Sequence, residues 1–326
     1  MISIRSIAVR HREVTKTVAV LLLIACHGIA LAQTSEHCAD IPKAQFADYV
    51  KHSASDGWFD VYEVEKNIFA IAEPYQWQEV ISYLIVGDKQ AILFDTGNGI
   101  ADIKAVVDKL TTKDIIVINS HGHEDHVGGN YQFTRVMAIA NDFTRQKSLG
   151  TPTNEYLQGE VSAEALCKPL AKPIENHHIK AFTISDTVAN HHKLDIGGRV
   201  LELIQMPGHT PDSVVMIDRA AGFMWTGDSY YPGQIWLYEP ETDYLAYRQS
   251  IGQMAAIAQP FTQLFPAHNV PKAPAQVLTK VRDAYEGILK GNDDYRSPES
   301  GKIVYEFAGF SFLLSDRILI NRKQIK

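Results

Sequence analysis

The sequence has no excess of basic residues. Its 326 residues include 31 lysines and arginines against 38 aspartates and glutamates, which gives a formal net charge of −7 at pH 7. Proteins that bind nucleic acids or anionic membrane surfaces need a basic patch, so this balance argues against both classes of partner. We expect a small-molecule substrate instead, and the sequence does not predict an oligomeric state.

The N-terminus lacks an apolar run long enough to cross a bilayer, because the run from Val18 to Ala25 is too short. This run follows four basic residues and precedes Ala30-Leu31-Ala32, an order typical of a cleaved secretory signal. We expect residues 1–32 to be a signal peptide and the mature protein to be periplasmic or secreted, without an integral membrane segment. Leu23-Ile24-Ala25-Cys26 also resembles a bacterial lipoprotein cleavage site, so a lipid anchor on Cys26 is the alternative.

Cysteine is scarce, with three residues in the whole chain. Removal of the signal peptide leaves Cys38 and Cys167, and neither lies near a group of potential metal ligands. In an oxidising compartment two such cysteines are more often bridged than free. We therefore expect a disulfide between them and no catalytic role for either.

No repeat, low-complexity tract or Pro/Gly/Ser-rich linker divides the mature chain. We expect an N-terminal arm over residues 33–56 and one large catalytic domain over residues 57–326. Apolar periodicity predicts both strands and helices in this domain. The strands are predicted within residues 57–87, 91–94, 115–118, 200–206, 213–217, 223–225 and 262–265, and the helices over 101–110 and 273–290.

Residues 134–190 are less regular, and we predict that they form a lid over a site. Helices are predicted over residues 142–149 and 161–170. This region also contains the pairs His177-His178 and His191-His192. Adjacent histidines point in opposite directions on a strand and have no partner motif here, so we expect these residues at the surface.

The densest group of potential metal ligands is His121-Gly122-His123-Glu124-Asp125-His126, which follows a predicted apolar strand. Three imidazoles and a carboxylate in one loop at a strand's end indicate metal binding. His121 and His123 project to the same side and can share one cation, whereas Asp125 and His126 can turn towards a second. Each site still needs ligands from farther along the chain.

This His-x-His-x-Asp-His motif resembles the signature of the metallo-β-lactamase fold superfamily. Four further motifs stand in that family's order: Phe94-Asp95-Thr96-Gly97, Pro207-Gly208-His209-Thr210, Thr226-Gly227-Asp228 and Pro266-Ala267-His268. The resemblance runs from about Val61 to His268. It implies an α/β fold, the αβ/βα four-layer sandwich of that family.

The resemblance also implies a dinuclear metal site. The ligands would be His121, His123 and His209 for the first ion, Asp125, His126 and His268 for the second, and Asp228 as the bridge. Such ligands suit two zinc ions, with iron or manganese as alternatives. Asp95 matches the family's early Asp-x-Gly motif, and we expect it to orient the histidine loop through hydrogen bonds.

A water shared by two such ions can lose a proton near neutral pH and become a hydroxide nucleophile, which Asp125 is placed to orient. The resemblance thus implies a metal-dependent hydrolase that cleaves an ester, thioester or lactone. A periplasmic β-lactamase is an alternative: export favours it, but β-lactamases of this fold usually carry Cys or Ser at the position of Asp228. A mononuclear-iron oxidoreductase similar to persulfide dioxygenases is the alternative from another class.

The segment after Asp228 is rich in aromatic residues. Tyr230 and Tyr231 come first, and Trp236 and Tyr238 follow. Aromatic side chains beside a metal ligand can line an apolar pocket, and a tyrosine hydroxyl can stabilise an oxyanion. We therefore predict catalytic roles for Tyr230 and Tyr231.

Overall fold

The computed structural model describes residues 36–39, 41–170, 172–298 and 300–322. The predicted signal peptide, its cleavage site and the alternative lipidation site at Cys26 lie outside these residues. A search of the described ranges finds no helix that is long and apolar enough to cross a membrane.

The first sheet has seven strands, which are neighbours in chain order. They are β1 (Asp60–Glu65), β2 (Ile68–Ala72), β3 (Ile81–Val86), β4 (Ala91–Phe94), β5 (Ile115–Ile118), β6 (Val136–Ile139) and β7 (Asp186–Val188). The pairings from β1 to β4 are antiparallel, and those from β4 to β7 are parallel. Phe94 pairs with Ile118, so the residues after β4 and β5 emerge side by side at one edge.

The second sheet has six strands in the order β14-β13-β11-β10-β9-β8, and a third sheet has three in the order β12-β16-β15. The second sheet consists of β8 (Lys193–Asp195), β9 (Val200–Gln205), β10 (Val214–Asp218), β11 (Phe223–Gly227), β13 (Gln263–Pro266) and β14 (Ala273–Pro274). The third consists of β12 (Gly233–Leu237), β15 (Lys302–Phe307) and β16 (Phe310–Ser315). The strands predicted from apolar runs are therefore confirmed.

Seven α-helices occur in the described residues. They are α1 (Ile103–Leu110), α2 (Glu124–Val127), α3 (Asp142–Lys147), α4 (Glu155–Gly159), α5 (Tyr244–Ile257), α6 (Val277–Leu289) and α7 (Arg317–Asn321). The helix predicted over residues 161–170 was wrong, because this segment forms turns. Its backbone pairs instead with the loop after β2: Ala165 accepts from the Trp77 N–H at 3.0 Å, and Cys167 donates to the Tyr75 carbonyl at 2.8 Å.

Three layers of apolar contact hold the domain together, and the described residues belong to one compact unit. Helix α1 packs on the outer face of the first sheet, the two large sheets pack face to face, and α5 and α6 cover the outer face of the second sheet. Trp225 and Phe265 stack in the middle layer, with ring centroids 4.8 Å apart. This arrangement confirms the predicted α/β four-layer sandwich.

The N-terminal arm is attached to the domain by side-chain packing and by a disulfide. Phe46 packs against Tyr62 of β1, with ring centroids 4.8 Å apart. The expected disulfide between Cys38 and Cys167 is also present. It connects the arm to the irregular region between β6 and β7, across a sequence separation of 129 residues.

Candidate metal centre

Strand ends from both large sheets bring the seven predicted ligands to one rim of the sandwich. Parallel and antiparallel ladders fix these strands, so the residues that follow them start from rigid positions. The ligands are His121 and His123 after β5, Asp125 and His126 in α2, His209 after β9, Asp228 after β11 and His268 after β13.

Glycines beside two of the ligands permit this close packing. Gly208 precedes His209 with a φ of +143°, and a Cβ there would lie 2.3 Å from the backbone of Tyr247. Gly227 precedes Asp228 with a φ of +49°, and a Cβ there would lie 2.4 Å from the Cβ of Ser120. Any larger residue would therefore displace the neighbouring ligand.

The first cluster consists of His121, His123 and His209. Nε2 of His209 lies 3.1 Å from Nε2 of His121 and 3.0 Å from Nδ1 of His123. Three imidazole nitrogens thus converge on one point. Three protein ligands with an open fourth position are typical of a catalytic metal site.

The second cluster consists of Asp125, His126 and His268. Nε2 of His126 lies 3.2 Å from Oδ2 of Asp125, and Nε2 of His268 lies 3.6 Å from the same oxygen. All three residues are buried. This cluster differs from the first because it includes a carboxylate.

Asp228 lies between the two clusters. Its Oδ1 is 3.4 Å from Nε2 of His126 and 3.2 Å from Nε2 of His268. Its Oδ2 is 3.7 Å from Nε2 of His209, in the first cluster. One carboxylate oxygen therefore faces each cluster, which is the arrangement that a bridging ligand requires.

The second ring nitrogen of each histidine has a hydrogen-bond partner outside the clusters. Nδ1 of His209 and Nδ1 of His268 donate to the carbonyls of Trp236 and Gln78, each at 2.7 Å. The other three contacts are His121 Nδ1 to Ser120 Oγ at 3.0 Å, His126 Nδ1 to Asp95 Oδ2 at 3.0 Å and His123 Nε2 to Glu241 Oε1 at 3.1 Å. In a neutral ring, as in His121 and His209, the nitrogen with the outside partner carries the single ring proton, so the nitrogen that faces the cluster presents a bare lone pair.

Such a set of atoms fits a cation. The bare nitrogens of His121 and His209 cannot hydrogen-bond to each other across 3.1 Å, and their lone pairs repel. Nε2 of His126 and Oδ1 of Asp228 are buried and have no hydrogen-bond partner. Buried polar atoms without partners are unfavourable, and a divalent metal ion would satisfy them. Imidazole and carboxylate are suitable ligands for zinc.

The protonation of the ligands follows from burial and neighbouring charge. Burial lowers the pKa of His209 to about 4 and lowers the pKa of His121 well below its ordinary value, so both rings are neutral at neutral pH. Burial would raise the pKa of Asp125, but the attraction of His126 and His268 outweighs it and lowers this pKa to about 2. Asp125 is therefore ionised throughout the physiological range.

Asp95 lies behind the ligands. Its Oδ1 accepts a hydrogen bond from the Ser120 backbone N–H at 2.6 Å. Its Oδ2 accepts from the Ser120 hydroxyl at 2.8 Å and from Nδ1 of His126 at 3.0 Å. These are the contacts that the predicted orienting role requires, and they connect β4 to the histidine loop.

A cavity of about 550 Å³ opens beside both clusters. Its lining includes the aromatic residues Trp77, Tyr156, Tyr231 and Trp236 and the charged residues Glu124, Lys147, Glu239 and Glu241. Trp77 and Trp236 are in contact, with ring centroids 5.3 Å apart. The volume is within the range of small-molecule sites, and the aromatic wall suits an apolar group.

The family model of the metallo-beta-lactamase superfamily matches residues 77–299. This chain belongs to that superfamily. The acyl-coenzyme A thioesterase MBLAC2 of Bos taurus is 23% identical over 207 residues, which cover 58% of this chain and 73% of that protein. The MBLAC2 protein of Homo sapiens is 22% identical with the same coverage.

Two solved structures share the fold of this superfamily member. TMB-1 is 19% identical with a TM-score of 0.51, and the match covers 72% of this chain and 99% of that one. A beta-lactamase domain protein from Burkholderia ambifaria is 16% identical with a TM-score of 0.50, and the match covers 75% and 80% of the two chains. With the relatives above, superfamily membership confirms the prediction of a metal-dependent hydrolase.

The two tyrosines for which catalytic roles were predicted have different surroundings. Tyr231 lines the cavity, with its ring centroid 4.8 Å from that of His268, and its hydroxyl donates to the Gln234 carbonyl at 2.6 Å. Tyr230 instead packs into the core between the second sheet and α5, and it does not line the cavity. The catalytic role predicted for Tyr230 therefore has no support from its position. Both tyrosines lie in the turn between β11 and β12, where no strand or helix periodicity indicates which side chain reaches the cavity.

Other histidines lie away from the superfamily's ligand set. His178 and His191 are exposed as expected, but His177 is buried, which corrects the prediction of a surface position. Within the described residues, the groups of side chains able to hold a metal ion include none of these histidines.

Three residues of the site were not predicted from the sequence. Trp77 and Gln78 lie in the loop between β2 and β3, inside the stretch 57–87 for which only strands were predicted. Glu241 hydrogen-bonds to His123 across 118 sequence positions. No local sequence pattern marks these contacts.

Proposed function

We propose that this chain is an exported hydrolase that cleaves an ester, thioester or lactone with two divalent metal ions, most suitably zinc. The position of Asp228 carries the proposal, because its two carboxylate oxygens face the two ligand clusters separately. The relatives named acyl-coenzyme A thioesterase support a thioester or a similar acyl substrate.

Divalent ions held by these ligands would supply Lewis acidity and a water of lowered pKa. The chain's own residues supply position. Asp125 lines the cavity and is ionised, so it can orient a water molecule by accepting a hydrogen bond from it. The aromatic wall excludes water and provides a surface for an acyl group.

The charges around the cavity narrow the proposed substrate class. Lys147 is the single lysine or arginine among the described residues of the lining, and it is paired with Glu124 at 2.8 Å. Glu239 and Glu241 add further negative charge. Away from the positive charge that bound metal ions would add, these side chains repel a leaving group with several phosphates, so we expect an uncharged or weakly charged leaving group.

Export is supported by the N-terminal sequence and by the disulfide, since such bonds persist mainly in oxidising compartments. Mass spectrometry of the exported protein should give a mature chain that starts at Gln33. A diacylated Cys26 would instead establish a lipid-anchored protein.

The deciding experiment compares three substrates with zinc-loaded mature protein: an uncharged acyl thioester, a lactone and a chromogenic cephalosporin. We expect kcat/KM above about 10⁴ M⁻¹s⁻¹ for the thioester or the lactone, as in working enzymes, and a negligible value for the cephalosporin. The opposite result would make the chain a β-lactamase. Metal analysis should give two ions per chain, and a single iron would favour the oxidoreductase alternative.

A further inference from the structure

We infer that Glu160 is a positioning residue that holds Trp77 in the wall of the cavity and thereby determines the affinity for an apolar acyl group. The inference about affinity rests on the proposed function. The contact between Glu160 and Trp77 rests on geometry alone, so the contact and the proposed function can be tested separately.

The Glu160 carboxylate accepts two hydrogen bonds from the loop that carries Trp77. Its Oε2 accepts from the indole Nε1 of Trp77 at 2.9 Å and from Nε2 of Gln76 at 2.5 Å. Glu160 is 6% exposed, and no cationic side chain lies within ion-pair distance of it in the described part of the chain. A carboxylate strengthens a hydrogen bond from a neutral donor, so it fixes the indole more firmly than a neutral acceptor would.

The segment that contains Glu160 is itself fastened in place. Beyond Glu160, Ala165 accepts from the Trp77 backbone N–H, and Cys167 donates to the Tyr75 carbonyl. Cys167 is also covalently bonded to Cys38 of the N-terminal arm. The indole is therefore held from outside the cavity by a segment with its own covalent attachment.

The position of Trp77 matters for the cavity in two ways. Its ring contacts Trp236, so together they form a continuous apolar surface. The next residue, Gln78, accepts the hydrogen bond from Nδ1 of His268. We expect release of the indole to affect binding of an apolar group much more than metal content, because backbone hydrogen bonds hold the loop on both sides of Gln78 without the indole. The Trp77 N–H donates to the Ala165 carbonyl and the Glu79 N–H donates to the Gln76 carbonyl, each at 3.0 Å.

The test measures kinetics of Glu160→Ala and Glu160→Gln with the acetyl and phenylacetyl thioesters of N-acetylcysteamine. In Glu160→Ala we expect KM for the phenylacetyl substrate to rise about 10-fold. The values of kcat, the metal content and KM for the acetyl substrate should all stay within about twofold of the wild type. Glu160→Gln should recover most of the loss, since its amide oxygen can still accept from the indole. The control is Glu155→Gln, which removes an exposed carboxylate of the same segment and should match the wild type. Equal changes in KM for both substrates, or none, would overturn the inference.

Acrylamide quenching of tryptophan fluorescence provides a readout that does not depend on turnover. Subtraction of the Trp77→Phe signal from the wild-type signal isolates the fluorescence of Trp77, and subtraction of Glu160→Ala/Trp77→Phe from Glu160→Ala isolates it in the variant. We expect the quenching constant of Trp77 to be about twofold greater in the variant. An unchanged constant would refute the positioning role. If no substrate in the panel is hydrolysed, the proposed function fails, and quenching alone still decides whether Glu160 holds Trp77.

Discussion

Two sets of buried carboxyl groups in this domain have opposite proton affinities. Asp125 and Asp228 lie among the histidines of the metal centre, whose attraction outweighs burial and lowers both pKa values, that of Asp125 to about 2. Glu73 and Glu160 lie outside the centre and accept hydrogen bonds from neutral groups, and burial raises each pKa to about 7.

The neighbours, and not the degree of burial, decide this difference. Asp125 and Asp228 are each 7% exposed, close to the 2% of Glu73 and the 6% of Glu160. A carboxylate surrounded by imidazoles is kept ionised and is ready to bind a cation, whereas one surrounded by neutral donors is destabilised as an ion. Asp125 and Asp228 therefore serve as metal ligands. Glu73 and Glu160 serve as hydrogen-bond acceptors, and their ionisation lowers the free energy of unfolding.

Removal of the bridging carboxylate should produce the largest effect. We expect Asp228→Ala to lower kcat/KM by at least about 10³-fold and to bind fewer than two metal ions per chain, because both clusters lose a ligand. Metal analysis and kinetics measure this directly. Asp195→Asn, at an exposed aspartate paired with Lys89, serves as the control and should keep both values. Two ions bound to Asp228→Ala would disprove the bridge.

A smaller loss is expected where a carboxylate acts through a ligand. The Asp95 carboxylate accepts the hydrogen bond from Nδ1 of His126. In Asp95→Asn the side-chain NH₂ can take the place of that oxygen, and because it is a donor it cannot accept the hydrogen bond. The His126 ring then loses its fixed orientation. We expect metal affinity to fall about 10- to 100-fold, as measured by competition with a chromophoric chelator. Unchanged affinity in a variant with wild-type circular dichroism would show that Asp95 does not orient the ligands.

The raised pKa of Glu73 can be tested through the pH dependence of the free energy of unfolding. Its pKa is raised in the folded state, so the folded protein binds more protons than the unfolded chain between about pH 4.5 and pH 7, and this group makes stability fall as pH rises. Glu73→Gln lacks that penalty. The free energy of unfolding of the variant relative to the wild type should increase from pH 5 to pH 8, by on the order of 1–3 kcal/mol. Urea denaturation at both pH values measures it, and a difference that does not change with pH would contradict the raised pKa.

Tyr231 should show the smallest effect. Burial raises its pKa well above the ordinary value, and its hydroxyl donates to the Gln234 carbonyl rather than into the cavity. We expect Tyr231→Phe to retain kcat within about threefold, because the ring of the wall is preserved. A loss of more than 10-fold would instead assign the hydroxyl to an oxyanion, as the sequence first suggested.

The parts of the fold that were predicted correctly are those with a strong local pattern. The buried strands β4 and β5 are continuous apolar runs, and such short runs bounded by turn residues predict buried strands. Helix α5 was missed because its buried positions include Tyr244, Tyr247 and Ser250, which do not form a plain apolar stripe. The segment 161–170 was misassigned because its backbone groups pair with a loop far away in the chain.

The sequence by itself determined the superfamily, the identity of the potential ligands and the approximate strand positions, since motifs and apolar runs are local properties. Tertiary structure alone decided which nitrogen of each histidine faces the centre, which of Tyr230 and Tyr231 lines the cavity, and that Glu160 contacts Trp77. Each of these depends on a partner that folding brings close: the Trp236 carbonyl for His209, the core for Tyr230 and the Glu160 carboxylate for Trp77. Side-chain direction and proton position are fixed by such contacts, and no spacing within one segment encodes them.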